Sequence, residues 1–398
     1  MVQESKVGRR DFLKGMLVGA ASVGALGTRS VEGAERRFRY GVVGSGNRSR
    51  SSHLPILKSY FPDIDIVALC DITPENLQKG LEICGPATKG YADHREMLAQ
   101  HPDLDAVIVI VPSYKHAEIT LHALEGGKHV LCEKPIATHL SDADQMISTA
   151  KQRGLKLQIG LQMRYTPVYE RAAQLIQEGR IGKVEYVFAS IFRGDWNPNS
   201  WKYTDPVTGV KTNWRFLRLT EGAALLEDGI HELDIIHWLV GAEPRTVQSV
   251  GGNNVLRNRE TIDHAGLLID FSNDVKCNFA FSLFTRGATD GRVMRYYGSE
   301  GELSIESASA ILVKPYHGRV ERIATSDDIP QPPEGSLHGL HHDSGTYWEH
   351  KAFQHSILTG SEPFCDGKKG RDVAHISLAA TRSLRIGQPI AWQDESEL

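Results

Sequence analysis

The tripeptide Glu133-Lys134-Pro135 contains a side chain that can transfer protons. It follows the apolar run 129–132, which predicts a β-strand, so Lys134 is expected where that strand ends. A lysine can hold or remove a proton if burial lowers its pKa. Because proline follows, the backbone of Lys134 is restricted to an extended conformation, which aims its side chain. A lysine in a surface loop is the alternative interpretation.

His231 is the second proton-transfer candidate. Apolar residues recur at helical spacing over residues 224–240 and predict a helix there. Glu227 and Asp234, four residues before and three residues after His231, would share its helix face and could orient or support the imidazole. The alternatives are a histidine that packs or caps within the helix and, for Asp234, a structural or surface carboxylate.

A glycine turn upstream indicates a phosphate-binding site. Gly44-Ser45-Gly46 follows the β-prone run 38–43 and precedes a predicted helix around residues 52–60. In such a βαβ unit the first glycine permits the tight turn, and the second lets the backbone approach a pyrophosphate at the helix N-terminus. Ser49 occupies the third glycine position and is small enough to keep helix and strand close.

Asp71 follows the next predicted strand, 64–70, and lies 25 residues after Gly46. A carboxylate at this place hydrogen-bonds the ribose 2′-hydroxyl and repels a 2′-phosphate, which favours NAD over NADP. A turn or cap aspartate before Thr73-Pro74 is the alternative. Strand and helix patterns alternate as far as residue 160, so residues 35–160 are predicted to form a doubly wound parallel sheet.

These signals, in this order, resemble the glucose-fructose oxidoreductase/inositol dehydrogenase/MocA (Gfo/Idh/MocA) family of NAD(P)-dependent enzymes. The resemblance is carried by the turn at 44–46, Asp71, Pro112 with His116, the tripeptide 133–135 and the segment 229–234, and it spans roughly residues 38–393. It implies an N-terminal Rossmann domain followed by a second domain at 161–398. That domain holds an open, mostly antiparallel sheet, with a C-terminal helix that returns toward the Rossmann domain.

The resemblance also implies hydride transfer between NAD and a hydroxyl group of a sugar, cyclitol or related polyol. Lys134 and His231 would be the catalytic proton-transfer residues, supported by Glu227 and Asp234. The family typically carries aspartate four residues before this histidine, so Glu227 adds one methylene of reach. The expected cofactor contacts are Gly44, Gly46, Asn47, Arg48, Asp71, Pro112, His116 and Glu133. Capping of a helix is an equal alternative for His116.

Substrate contacts are expected at two places. The resemblance places Arg164 and Tyr165, at the entrance to the second domain, against substrate or cofactor. An aromatic-rich loop between residues 193 and 216 contains Trp214 and Arg215, and flat aromatic faces suit sugar rings. Packing over the core is the alternative for each tryptophan. The adjacent His341 and His342 cannot form a helical metal pair, and no metal site is predicted.

Residues 1–34 are similar to a twin-arginine export signal. Arg9-Arg10 precedes Phe12-Leu13-Lys14 and a 13-residue apolar segment that is too short to span a bilayer. We therefore expect a periplasmic or extracellular protein that is exported after folding, with NAD acquired beforehand and tightly bound. Cleavage after Ala34 and cleavage after Gly27 both remain open.

Composition excludes several other classes of protein. The chain of 398 residues has a net charge of −4, which is too small for a nucleic-acid or membrane-surface protein. Its 5 cysteines lack CxxC spacing and support neither a disulfide framework nor a zinc site. The expected partners are a carbohydrate or polyol substrate and, by the resemblance, further copies of the chain bound through the C-terminal sheet. A glycoside hydrolase that recycles bound NAD and a non-catalytic sugar-binding protein are the alternative functions.

Overall fold

The computed structural model describes residues 37–196, 202–204, 209, 211–217, 224–285, 291–307, 309–325 and 344–398. The expected export signal and the histidines at 341 and 342 lie outside these residues. No helix in the described part of the chain combines the length and the apolar character needed to cross a membrane.

The first sheet has six parallel strands in the order β3-β2-β1-β4-β5-β6. The strands are β1 (Phe38–Val43), β2 (Ile64–Cys70), β3 (Lys89–Tyr91), β4 (Ala106–Val109), β5 (His129–Glu133) and β6 (Leu157–Gly160). Every residue of β4 is buried, as expected of a strand with helices on both faces of its sheet. The strand order reverses between β1 and β4, and ligands of doubly wound sheets bind at the carboxyl ends of such strands.

Five helices connect these strands: α1 (Leu54–Tyr60), α2 (Pro74–Cys84), α3 (His94–Gln100), α4 (His116–Glu125) and α5 (Leu140–Gln152). A π-helical turn, Ser49–His53, leads into α1, and a 3-10 turn, Ser113–Lys115, leads into α4. The glycine turn, Asp71, Pro112 and Lys134 therefore all lie at the same edge of the sheet, because each follows the carboxyl end of a parallel strand.

The second sheet has nine strands in the order β16-β15-β14-β13-β7-β12-β11-β10-β17. They are β7 (Val184–Phe192), β10 (Pro244–Gly252), β11 (His264–Phe271), β12 (Lys276–Ser282), β13 (Val293–Gly298), β14 (Gly301–Ser307), β15 (Ala310–Pro315), β16 (Glu321–Ala324) and β17 (Ile390–Ala391). Strands β8 (Lys202–Thr204) and β9 (Lys211–Asn213) form a separate pair. Only β7 and β12 pair in parallel among the described strands of this sheet, so the expected fold class is confirmed.

Helices cover one face of the second sheet. Helices α6 (Pro167–Gln177), α7 (Ile230–Val240) and α9 (Gly367–Ile386) pack there, and α9 lies along β10. Helix α8 (Ser344–Thr359) contacts α1 and β6, so the C-terminal part of the chain packs back on the first sheet. The C-terminal part of the chain thus contacts both domains, near the edge of the first sheet where the candidate residues lie.

Candidate active site

The glycine turn has the geometry that a dinucleotide requires. Gly44 has a φ of 99°, and a Cβ there would lie 2.0 Å from the carbonyl oxygen of Ile110, so the position needs glycine. A Cβ on Gly46 would meet nothing within 4 Å, which leaves open space above the turn. The exposed Asn47 follows it. The turn therefore has room for the close approach of a pyrophosphate.

Asp71 is fixed beside this turn. One carboxylate oxygen accepts a hydrogen bond from the N–H of Ser45 at 2.7 Å, and the other accepts from the N–H of Thr73 at 2.8 Å. The aspartate thus begins the turn into α2 while its half-exposed carboxylate remains at the sheet edge. This position is compatible with both roles predicted for Asp71 from the sequence, namely stabilising a local turn and binding the ribose.

Lys134 lies at the junction of the two domains. Its peptide bond to Pro135 is cis, and its Nζ donates a hydrogen bond to the backbone carbonyl of Glu227 at 2.5 Å. The side chain of Glu227 reaches across the same junction and accepts a hydrogen bond from the Ser113 hydroxyl. The carboxyl ends of β4 and β5 therefore meet the segment that precedes His231.

His231 is the second residue of α7 and follows a π-helical turn, Leu225–Gly229. Burial and the positive charge of Lys134 hold the pKa of His231 well below its usual value, so the imidazole is neutral at neutral pH. Its Nδ1 atom is buried without a hydrogen-bond partner among the described residues. A neutral imidazole close to a lysine can accept a proton from a bound hydroxyl group.

The two carboxylates that were expected to support His231 have other partners among the described residues. Glu227 lies in the π-helical turn and Asp234 lies in α7. The carboxylate of Glu227 instead contacts Ser113 and the guanidinium of Arg215, whose Nε lies 3.2 Å away. Glu227 therefore contributes to the junction without contacting the imidazole of His231.

Arg164 and Asp234 also differ from expectation. They form a buried pair with nitrogen–oxygen distances of 2.6, 2.8 and 3.0 Å, and their side chains are only 3% and 1% exposed. Burial raises the pKa of Asp234, although Arg164 opposes the shift. Tyr165 is likewise buried and packs edge-on against Phe364. The pair Arg164–Asp234 thus links the segment after β6 to α7, which fits the structural alternative for Asp234.

His116 connects two loops through both of its ring nitrogens. Its Nδ1 lies 2.6 Å from the carbonyl oxygen of Pro135 and its Nε2 lies 2.9 Å from that of Val111. Both nitrogens must donate to make these bonds. Burial opposes the charged form, but Cys132 and the Pro135 carbonyl raise the pKa of His116 to about 9. The imidazolium thus holds the loop containing Pro112 against the loop containing Lys134.

Glu133 is buried beneath the site rather than open to a cofactor. One of its carboxylate oxygens lies 2.8 Å from Nε of Arg48 and 2.9 Å from Nε2 of His53. Although burial opposes ionisation, Arg48 and His53 hold the pKa of Glu133 well below its usual value. Arg48 also donates to the Thr346 hydroxyl of α8 at 2.8 Å. Both residues therefore support the glycine turn and Lys134 from below.

The aromatic loop forms one wall of the junction. The guanidinium of Arg215 lies 4.5 Å from the ring centre of Trp214 and 5.6 Å from that of Trp196. Trp214 is buried and lies edge-on to Tyr114, 6.3 Å between ring centres. Sequence reasoning missed Ser113 and Tyr114. Their position directly after Pro112, at the carboxyl end of β4, could have indicated them.

Three side chains outside the junction, His94 of α3 and Glu118 and His122 of α4, are close enough to share a metal ion. The two imidazoles already share a hydrogen bond of 2.8 Å between Nε2 of His94 and Nδ1 of His122. Glu118 pairs with Arg95 at 2.7 Å and with Lys115 at 2.8 Å. Because these contacts satisfy all three side chains, we assign no metal to them.

Comparison with known proteins identifies both domains. Residues 38–161 match the family described as "Oxidoreductase family, NAD-binding Rossmann fold", and residues 169–304 match the "GFO/IDH/MocA C-terminal domain". An uncharacterized oxidoreductase, YrbE, of Bacillus subtilis is 24% identical over 90% of this chain and 97% of its own length. Inositol 2-dehydrogenase of Salmonella typhimurium is 29% identical over 53% of this chain and 57% of its own length.

A solved structure extends this likeness to three dimensions. Aldose-aldose oxidoreductase from Caulobacter crescentus, complexed with glycerol, aligns with a TM-score of 0.73 and 25% identity over 89% of this chain and all of that one. The glycine turn, the lysine after β5 and the two matched domains lead to one assignment. The chain belongs to the Gfo/Idh/MocA family of oxidoreductases and has an NAD-binding Rossmann domain.

Proposed function

We propose that this protein is an exported enzyme that uses NAD to oxidise or reduce a hydroxyl group of a sugar, cyclitol or related polyol, with proton transfer by Lys134 and His231. The observation that carries the proposal is that Nζ of Lys134 bonds to the carbonyl of Glu227, in the turn that leads directly to the partly exposed His231 at the domain junction. Burial and the charge of Lys134 lower the pKa of His231, so its imidazole is neutral. The names of two similar proteins, an inositol dehydrogenase and an aldose-aldose oxidoreductase, support this substrate class.

The two residues have different parts in the reaction. Nζ of Lys134 uses one of its three donors on the Glu227 carbonyl, which leaves the others for the oxygen of a substrate hydroxyl. The positive charge stabilises that oxygen as its proton leaves, and neutral His231 accepts the proton. NAD, when bound at the glycine turn, supplies the hydride acceptor, and in reduced form the donor. In the reverse direction His231 returns the proton.

Aromatic rings at the junction support a carbohydrate substrate. Trp196 and Trp214 are buried and pack behind the guanidinium of Arg215, whereas Arg215 and the neighbouring ring of Tyr114 are partly exposed. A sugar ring has an apolar face that can pack on Tyr114 and hydroxyl edges that can bond to Arg215 or Lys134.

The substitution Lys134→Met tests the catalytic proposal. With inositols and aldoses as substrates, we expect NADH formation to fall by roughly 10²–10⁴-fold, the usual loss when a positioned proton-transfer group is removed. NADH binding, followed by fluorescence, should persist because the glycine turn is untouched. Lys156→Met, whose side chain contacts Gly360 and Glu362 away from the junction, is the matched control. Unchanged turnover in Lys134→Met would refute the role of this lysine.

Export and tight NAD binding are tested separately. The twin arginines, Arg9 and Arg10, support transport of the folded protein, and a cofactor bound during folding would travel with it. Protein purified without added cofactor should release close to one NAD(H) per chain on denaturation. Replacing both arginines by lysine should retain the protein in the cytoplasm. An empty site would argue against a recycled cofactor, and export of the double variant would argue against the signal.

A further inference from the structure

The carboxylate of Glu133 is held by three separate groups, and one of them is the backbone of Lys134. Its Oε2 accepts a hydrogen bond from the N–H of Lys134 at 3.0 Å. Its Oε1 accepts from Arg48 at 2.8 Å and lies 2.9 Å from Nε2 of His53. The position of Lys134 therefore depends on a carboxylate that its own side chain does not contact.

The contacts continue from His53 to the C-terminal part of the chain. Nδ1 of His53 lies 3.0 Å from Nε2 of His350, which belongs to α8. Both imidazoles are fully buried, 0% and 1% exposed, and their rings are perpendicular. Nδ1 of His350 is buried without a hydrogen-bond partner among the described residues, so the series ends there.

One arrangement of protons satisfies this series. The ionised Glu133 can only accept, so Nε2 of His53 carries a proton and donates it. Nδ1 of His350 is buried with no acceptor among the described residues, so a neutral His350 carries its proton on Nε2 and donates it to Nδ1 of His53. Burial holds the pKa of His350 well below its usual value, in agreement with a neutral ring whose Nδ1 is bare. His350 thereby completes the hydrogen bonds of His53, whose other nitrogen faces Glu133.

Loss of the donor on His350 would leave Nδ1 of His53 buried against an apolar group without that hydrogen bond. Because an unsatisfied buried acceptor is costly, we expect the imidazole of His53 to turn, which weakens the bond between its Nε2 and Oε1 of Glu133. The carboxylate would shift away and release the N–H of Lys134. The distant helix α8 would thus affect the lysine without touching it.

We propose that His350 is a positioning residue for Lys134, acting through His53 and Glu133 as a directed series of hydrogen bonds from α8 to the end of β5. The functional meaning of this series rests on the proposed role of Lys134 in proton transfer. The series itself concerns the position of the lysine and can be tested without a substrate.

The test compares His350→Leu with His350→Gln in the full chain. Leucine has a similar volume but no donor, whereas the glutamine amide can donate toward His53. The readout is the rate at which trace acetic anhydride acetylates Lys134, measured by mass spectrometry against Lys128 and Lys156 in the same sample. His355→Leu, the same change elsewhere on α8, is the matched control.

We expect His350→Leu to raise the relative reactivity of Lys134 several-fold, because Nζ leaves its bond to the Glu227 carbonyl. His350→Gln and His355→Leu should match the parent protein. Glu133→Gln should show the increase, and adding His350→Leu to it should change nothing more, since the second change acts through the first. Parent-like Lys134 reactivity in His350→Leu, or equal effects of leucine and glutamine, would overturn the proposal.

If His350→Leu does not fold, Glu133→Gln decides alone, and unchanged Lys134 reactivity in that variant overturns the proposal. The outcome is separable from that of the proposed function. Altered acetylation of Lys134 in His350→Leu, together with full turnover in Lys134→Met, would leave the positioning series intact and reject the catalytic role of the lysine.

Discussion

At the scale of single residues, His231 determines how the proposed activity responds to acid. Its pKa is held well below the ordinary value of about 6.5 by burial and by the charges of Lys134, Arg292 and Arg48, against the opposing charge of Glu133. A group with a lowered pKa stays unprotonated as the pH falls through 6.5. His231 therefore remains a proton acceptor in mildly acidic solution.

The pH profile of kcat/KM tests this property. We expect the acid limb to lie well below pH 6.5, the ordinary histidine value, and to disappear in His231→Gln. Activity that is already half lost near pH 6.5 would show that His231 titrates normally or is not the base. His355→Leu provides a control, since it removes a histidine of α8 that the mechanism does not use.

The two glycines of the turn make a matched pair for a second prediction at the residue scale. Gly46→Ala places a methyl group in open space, so stability should be retained while NADH affinity falls as the methyl occupies the approach to the turn. Gly44→Ala places Cβ 2.0 Å from a backbone oxygen at a φ of 99°, so it should lower the free energy of unfolding as well. Equal stability of the two variants in thermal denaturation would contradict this distinction.

At the scale of secondary-structure elements, the buried pair Arg164–Asp234 ties the turn after β6 to α7. Asp234→Asn leaves a buried guanidinium without its charge partner and should cost about 3–5 kcal/mol of unfolding free energy. The double variant Arg164→Met/Asp234→Leu, measured by denaturant unfolding, should recover part of that loss. If Asp234→Asn instead lowered turnover at unchanged stability, the pair would belong to the active site.

The sequence predicted most elements of the chain but not the contacts at the junction. The strands predicted at residues 38–43 and 64–70 coincide with β1 and β2, because each is a β-prone run that ends at a turn residue, Gly44 or Asp71. The helix predicted over 224–240 begins instead with a π-helical turn, which periodicity cannot distinguish from an α-helical turn. Glu227 bonds to Ser113, which lies 114 residues away in sequence, and the partner of Asp234 lies 70 residues away.

The same reasoning explains why the supporting residues were not found. His53 and His350 are 297 residues apart, and neither lies in a segment whose pattern suggests chemistry. Glu133 and His116 were placed correctly at the edge of the sheet, but sequence position does not show whether a side chain points up to a ligand or down into the core. Ends of strands can therefore be predicted from the sequence, whereas buried polar networks depend on tertiary packing.

At the scale of the whole molecule, the face of the second sheet opposite α6, α7 and α9 carries exposed apolar side chains among the described residues. Leu268 of β11, Asn278 of β12 and Phe188 of β7 form a continuous row across three strands, and Leu268 and Phe188 are 55% and 40% exposed. Val250 of β10, on the same face, is 70% exposed. Exposed large apolar side chains that share one face of a sheet are typical of an interface between subunits.

We therefore predict an oligomer that buries this face. We expect Leu268→Asp to dissociate it, because the new carboxylate would be buried without a charge partner when the subunits meet. Light scattering after size exclusion should give a mass above 44.0 kDa for the parent chain and a smaller assembly for the variant. NADH binding should persist, since the glycine turn lies in the other domain. Leu358→Asp, at an equally exposed position near the end of α8, should leave the assembly unchanged. A parent chain that elutes as a monomer would show that this face is covered by another partner or stays exposed.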